Sequence, residues 1–193
     1  MKAVDFTRGG EPSGSAARPS TVETPRGLSV LYRGRFLYSR YDPQKSPIEA
    51  AQAAAIPDET LVLCPSPLLG YGLSELLTSL PARSFVLALE ADENLMALSV
   101  ERIPRGIFFN PKFKLIRTAS VARVLETIDA LGQGPFRRAI RVDLSGGAAL
   151  NVDFYREVQS GIDEYIGRWW RNHVTLMRLG RNYARNFFSN CHS

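Results

Sequence analysis

From Leu28 the chain alternates apolar and polar positions. Leu28, Val30 and Tyr32 fall on one side, Arg33-Gly34 makes a turn, and Phe36 and Tyr38 return. That spacing predicts a hairpin or a bent strand pair. Ser46 with Pro47 after it then opens a helix, carried on by "IEAAQAAA" and stopped by Pro57. From residue 60 the pattern changes. Short apolar runs at 60–64, 84–90, 112–118 and 138–145 alternate with amphipathic stretches at about 71–79, 92–102 and onward from Ser120. Strands that are apolar on both faces, each followed by a helix, predict a parallel sheet covered on two sides. Residues 151–190 lack proline and carry glycine only at 161, 167 and 180, which predicts one long helix or two with a bend near Gly180. The expected fold class is therefore α/β: a Rossmann-like parallel sheet of about four strands flanked by helices, preceded by an N-terminal β-hairpin and followed by a long C-terminal helix. The layout is a disordered lead over 1–27, rich in Gly, Pro, Ser and Thr, the α/β domain over 28–150, and the helical segment over 151–193.

Composition narrows the classes without choosing one. The chain has 193 residues, 45% hydrophobic and 22% charged, as an ordinary globular domain does. No apolar stretch reaches the ~18–20 residues of a membrane span, and the N-terminus has no signal-peptide core, so a cytoplasmic location without membrane contact is expected. Cys64 and Cys191 are read as reduced thiols. With histidine only at 173 and 192, no metal site is expected. The net charge of +5 comes almost wholly from arginine, a weak pointer to an anionic partner.

The chemistry-bearing stretch is "LVLCPSPLLGYGLSELL", residues 61–77. Strand, loop with Gly70 and Gly72, then helix is the layout that brings backbone close to a nucleotide or cofactor. Glu90 lies 20 residues after Gly70, at the end of the next strand, where an acid accepts hydrogen bonds from ribose hydroxyls. Asp92 is close by. Asp143 and Ser145 in "RVDLSGG" fall at the carboxyl end of the fourth strand, where open α/β sheets take ligands. "SRYDP", 39–43, is either an Arg–Asp clamp or a turn before a helix. The alternative at each place is structural: a glycine needed for backbone shape, a helix cap, or an Asx-type turn.

The final segment has no acid after Glu164. It interleaves Arg168, Arg171, Arg178, Arg181 and Arg185 with Trp169, Trp170, Tyr183, Phe187 and Phe188, and it carries Asn182 and Asn186 on one face. So much aromatic area predicts that residues 165–190 are covered rather than bare, for instance in a homodimer made through this helix.

Four stretches in order, "GRFLYSRYDPQKSPIEAA", "VLCPSPLLGYGLSELL", "FVLALEADENLMAL" and "TLMRLGRNYARNFF", resemble the N-terminal half of the motility-associated factor glycosyltransferases, grouped with the 6-hydroxymethylpterin diphosphokinase MptE-like proteins. The resemblance covers about residues 30–190. It implies a Rossmann-like domain acting in flagellin glycosylation, a nucleotide or nucleotide-sugar as ligand, and flagellin or another protein as acceptor. It places Ser66, Gly70, Tyr71 and Gly72 in the family's "GlGLGY" loop, with Ser66 and Leu68 where the family has earlier glycines. The family's glycine-rich "GPSLD"-type motif, which holds the activated donor, has no counterpart here, so the transferase step is not assigned to residues of this chain. The chain is then a truncated form or a stand-alone N-terminal module, with a scaffolding or acceptor-positioning role. A different class, an S-adenosylmethionine-dependent methyltransferase-like enzyme, rests on the Gly70-to-Glu90 spacing. Nucleic-acid binding by the arginine-rich helix is the weakest reading.

Overall fold

The computed structural model describes residues 18–131 and 136–190, with side chains left undescribed at 176 and 178–190. A three-stranded antiparallel sheet comes first: β1 (Ser20–Thr24), β2 (Gly27–Tyr32) and β3 (Arg35–Phe36), in the order β1-β2-β3. The turn between β2 and β3 has positive φ at both central residues, Arg33 (48°) and Gly34 (72°), which suits the twist of a two-residue hairpin. The predicted hairpin is present, but β1 was expected to lie in the disordered lead. Four of its five residues are polar and three are exposed, so their pairing with β2 leaves no alternating apolar signature.

Next come α1 (Lys45–Ala53), β4 (Thr60–Pro65), α2 (Leu73–Thr78), β5 (Phe85–Glu90), α3 (Glu93–Arg102), α4 (Arg105–Phe108), β6 (Phe113–Arg117), α5 (Val121–Ala130), β7 (Arg138–Arg141), a short 3-10 helix (Gly146–Leu150) and α6 (Val152–Asn190). The four strands β4 to β7 form one parallel sheet in the order β6-β5-β4-β7. The helix at 45 begins one residue before Ser46. The N-cap is Gln44, which makes no side-chain cap bond, and the Lys45 N–H is taken instead by the Asp42 carboxylate, so Ser46 does not cap the helix. The last strand stops at Arg141, four residues earlier than the apolar run implied.

The period-2 pattern of the two central strands divides the core. Val62, Cys64, Val86 and Ala88 face a layer built from Ala51, Leu73, Leu76, Ile103 and Ile107. Leu61, Leu63, Phe85, Leu87 and Leu89 face Val124 and Ile128 of α5 and Tyr155, Val158, Ile162 and Ile166 of α6. Successive strand side chains point to opposite faces, so both faces must be apolar when both are covered. A third cluster lies over the loop ends and joins the N-terminal sheet to the parallel one: Val30, Tyr32, Leu37 and Tyr38 pack on Leu68, Leu69, Leu95 and Leu98. The order of the parallel strands reverses between β4 and β7, and such a switch point is where this architecture opens a crevice.

Candidate functional site: a switch point filled from within

The loop leaving β4 alternates left-handed residues. Ser66 (φ 46°), Leu68 (49°), Gly70 (75°) and Gly72 (82°) all have positive φ. Glycine adopts that region freely; an L side chain there costs about 1–2 kcal/mol. At Gly72 a Cβ would come 2.5 Å from the Pro47 carbonyl oxygen, so only glycine fits. Ser66 and Leu68 therefore keep a glycine-type backbone without glycine.

Leu68 is completely buried in the third cluster. The Tyr38 hydroxyl donates to the Pro67 carbonyl at 3.0 Å and accepts from the Leu69 N–H at 3.3 Å. Burial pushes the Tyr38 pKa far up, so it stays a neutral phenol. The ring of Tyr71 packs edge-on to Tyr38, 5.2 Å between centroids. The Tyr71 hydroxyl accepts from the Leu28 N–H and donates to the Leu28 carbonyl, both at 3.2 Å. The polar groups that a nucleotide would use are thus taken up by side chains of the N-terminal sheet and the segment after it.

Glu90 ends β5 and is fully buried. Its Oε2 accepts from the Ser66 hydroxyl at 2.6 Å and its Oε1 from the Asp92 N–H at 2.9 Å. Burial raises its pKa above the ordinary 4.5, and the Ser66 hydrogen bond only partly opposes this. Asp92 caps α3: its Oδ1 accepts from the N–H groups of Asn94 and Leu95. Its Oδ2 accepts from the Tyr32 hydroxyl and the Arg33 guanidinium, each at 2.9 Å. Ser145 Oγ donates to the Ser66 carbonyl at 2.6 Å and accepts from the Gly147 N–H at 3.0 Å. A Cβ on Gly147 would overlap the Ser66 hydroxyl.

The structure therefore joins the buried Ser66 and Glu90 and the half-buried Ser145 in one network, with Gly70 and Gly72 shaping the loop beside it and Tyr71 clamped to β2. A serine at positive φ after a strand is also the posture of a nucleophile elbow. Here the hydroxyl is fully buried and bonded to Glu90, and the described histidine, His173, stacks on Trp169 at 3.6 Å.

Asp143 stands apart from this network, on the other side of the switch point. Both of its oxygens accept from Arg141 Nε, at 2.8 and 3.1 Å. It borders a cavity of about 340 Å³ whose walls are residues 36–39, 46–47 and 143–146. In the neighbouring "SRYDP" stretch, Ser39 Oγ accepts from the N–H groups of Tyr41 and Asp42. Asp42 pairs with Arg26 at 2.8 Å, which lowers its pKa, while Arg40 lies over the Phe36 ring. The turn reading of this stretch holds, and its Arg and Asp do not clamp a ligand together.

On α6, Tyr155 joins the site: its hydroxyl accepts from the Ala91 N–H and donates to the Leu89 carbonyl, both at 3.3 Å. Trp170 donates its indole N–H to the Phe136 carbonyl at 3.0 Å and lies under the Arg137 guanidinium. Beyond it, residues 171–175 and Met177 are exposed, so covering by the domain itself stops near Trp170. Asn182, Tyr183, Asn186, Phe187 and Phe188 carry side chains outside the described residues.

Sequence reasoning missed Tyr32, Arg33 and Tyr38 as occupants of the loop ends. The alternation that predicted the hairpin did place Tyr32 and Tyr38 on regular positions, but their partners lie 60 and 29 residues away. Among the described residues, no group of three or more His, Cys, Asp or Glu could hold a metal ion, and no helix is long and apolar enough to cross a membrane.

No family model matches the chain. It is 39% identical over 187 residues to an uncharacterized protein of Treponema pallidum (strain Nichols). That match takes in 97% of this chain and 32% of the relative, so the chain spans about a third of the relative's length. Among solved structures, a Klebsiella pneumoniae protein to which O-methyltransferase activity has been attributed matches over 50% of this chain and 49% of its own, at 18% identity and a TM-score of 0.29. Agreement at that level does not establish a common fold.

Proposed function

We propose that this chain is a non-catalytic Rossmann-like module of a motility-associated factor glycosyltransferase-like protein, one that positions a protein acceptor such as flagellin for a neighbouring domain. The observation that carries the non-catalytic part is the filled loop. Tyr38 takes the Pro67 carbonyl and the Leu69 N–H, and Ser66 with the Asp92 N–H takes both oxygens of Glu90. A ribose would need those same oxygens, so the methyltransferase-like alternative requires a site that the protein has already used. The modular part is supported by the length of the relative, about three times the matched segment.

Calorimetry with S-adenosylmethionine, S-adenosylhomocysteine and nucleotide-sugars tests the filled loop. The expected result is no heat at millimolar ligand. Micromolar binding that Glu90→Ala abolishes would overturn the reading. Cross-linking of the full-length protein to purified flagellin tests the acceptor role: cross-links from this module support it, and cross-links confined to other domains refute it.

A further inference from the structure

The cavity beside Asp143 borders the filled loop, with Tyr38 and Ser145 in its wall, while Ser66 and Glu90 do not line it. At about 340 Å³ it is large enough for one small molecule, and it lies between the segment leaving β7, the segment after β3 and the first turn of α1. Its walls carry a specific set of groups. The Asp143 carboxylate accepts hydrogen bonds and is about half exposed, at 47%. Ser39 accepts two backbone N–H groups through its oxygen, and among the described residues its own O–H proton is given to no partner. Ser46, in the first turn of α1, is exposed and adds a second hydroxyl. Phe36 adds a partly exposed aromatic ring, 38% accessible, over which the Arg40 guanidinium lies 5.5 Å from the centroid without itself lining the cavity.

Charge decides the ligand class. Arg141 neutralises Asp143 through its Nε, so the wall offers a paired carboxylate rather than a free ion. An anion would meet the Asp143 oxygens, and a cation would have to displace Arg141. A neutral molecule with several hydroxyls meets neither penalty. It donates to a carboxylate that keeps unfilled acceptor positions, accepts from the two serines, and lays a C–H face on the aromatic ring. We propose that this cavity is a binding site for a neutral polyol of hexopyranose size, held by Asp143, Ser39, Ser46 and Phe36. The proposal does not depend on the motility reading.

Saturation-transfer NMR on the whole chain tests it, with glucose, galactose, mannose and N-acetylglucosamine as probes at concentrations up to tens of millimolar. The expected result is transfer to at least one of them. Asp143→Asn and, independently, Phe36→Ala should each weaken that binding by about tenfold, while Glu126→Gln on α5 leaves it unchanged. Both altered side chains are exposed, so an intact spectrum of each variant separates loss of binding from loss of fold. The proposal is overturned if none of the four sugars receives saturation, if Asp143→Asn binds as the parent does, or if a hexose phosphate binds more tightly than the parent hexose.

Discussion

Ser66 donates its hydroxyl to Glu90 at 2.6 Å across the ends of two neighbouring strands, and neither side chain reaches solvent. This bond binds the residue after β4 to the last residue of β5, at the place where a nucleotide-binding relative of this architecture would leave the acid open. Removing the hydroxyl strands a buried carboxylate oxygen. Ser66→Ala should therefore lower stability by about 1–3 kcal/mol in denaturant unfolding. A change within a few tenths of a kcal/mol would mean that Glu90 finds another donor.

Gly147 and Ser66 exclude each other's bulk. Gly147→Ala alone should cost about 1–3 kcal/mol, because the new methyl overlaps the Ser66 hydroxyl. In a Ser66→Gly background the same change should cost much less, since the obstructing atoms are gone and glycine suits φ 46°. A double-mutant cycle reads this coupling directly. Simple additivity would show that the 3-10 segment yields elsewhere.

Tyr38→Phe removes a donor from the Pro67 carbonyl and an acceptor from the Leu69 N–H. About 1–3 kcal/mol of stability should be lost, with faster hydrogen exchange at the Leu69 amide than at amides in the middle of β4. Unchanged exchange at Leu69 would count against the clamp.

The raised pKa of Glu90 fixes a sign. In the folded protein the protonated form is favoured above pH 4.5, its ordinary value, because burial penalises the charge. Between 4.5 and the raised folded value the native state binds more protons than the unfolded one, so this group's contribution to stability falls as pH rises through that window. Above both values the penalty is constant. Relative to Glu90→Gln, the parent should gain stability as pH is lowered from neutral toward 4.5. Thermal melts of the two proteins across that range check it, and a parent that loses ground on acidification would reverse the assignment.

The parallel sheet was legible because its central strands are buried on both faces and so read as unbroken apolar runs, as at Leu61–Cys64 and Phe85–Leu89. β1 was hidden because Ser20, Thr21, Glu23 and Thr24 look like a loop unless the pairing with β2 is known. At the site, Gly70 and Gly72 announced a loop of positive φ by residue type, whereas Ser66 and Leu68 share that backbone and were marked only by the resemblance, which set them at glycine positions. Glu90 was found by spacing, but spacing does not tell whether an acid faces a ligand or a serine 24 residues away. The cavity beside Asp143 needed three separated segments to meet, which no local pattern encodes.

Tyr38 also sets a threshold for any outside molecule. It is joined to the β4 loop by its own chain, and a group so tethered acts on its partners as if present at about millimolar concentration or above. A free ligand for the Pro67 carbonyl and Leu69 N–H competes against that standing local concentration before it gains any net occupancy. Weak metabolite binding at the loop is silenced by this competition. At the cavity beside Asp143 the tethered rival is Arg141, bonded to the carboxylate, while among the described residues the Ser39 hydroxyl proton has no partner and stays open to a solute.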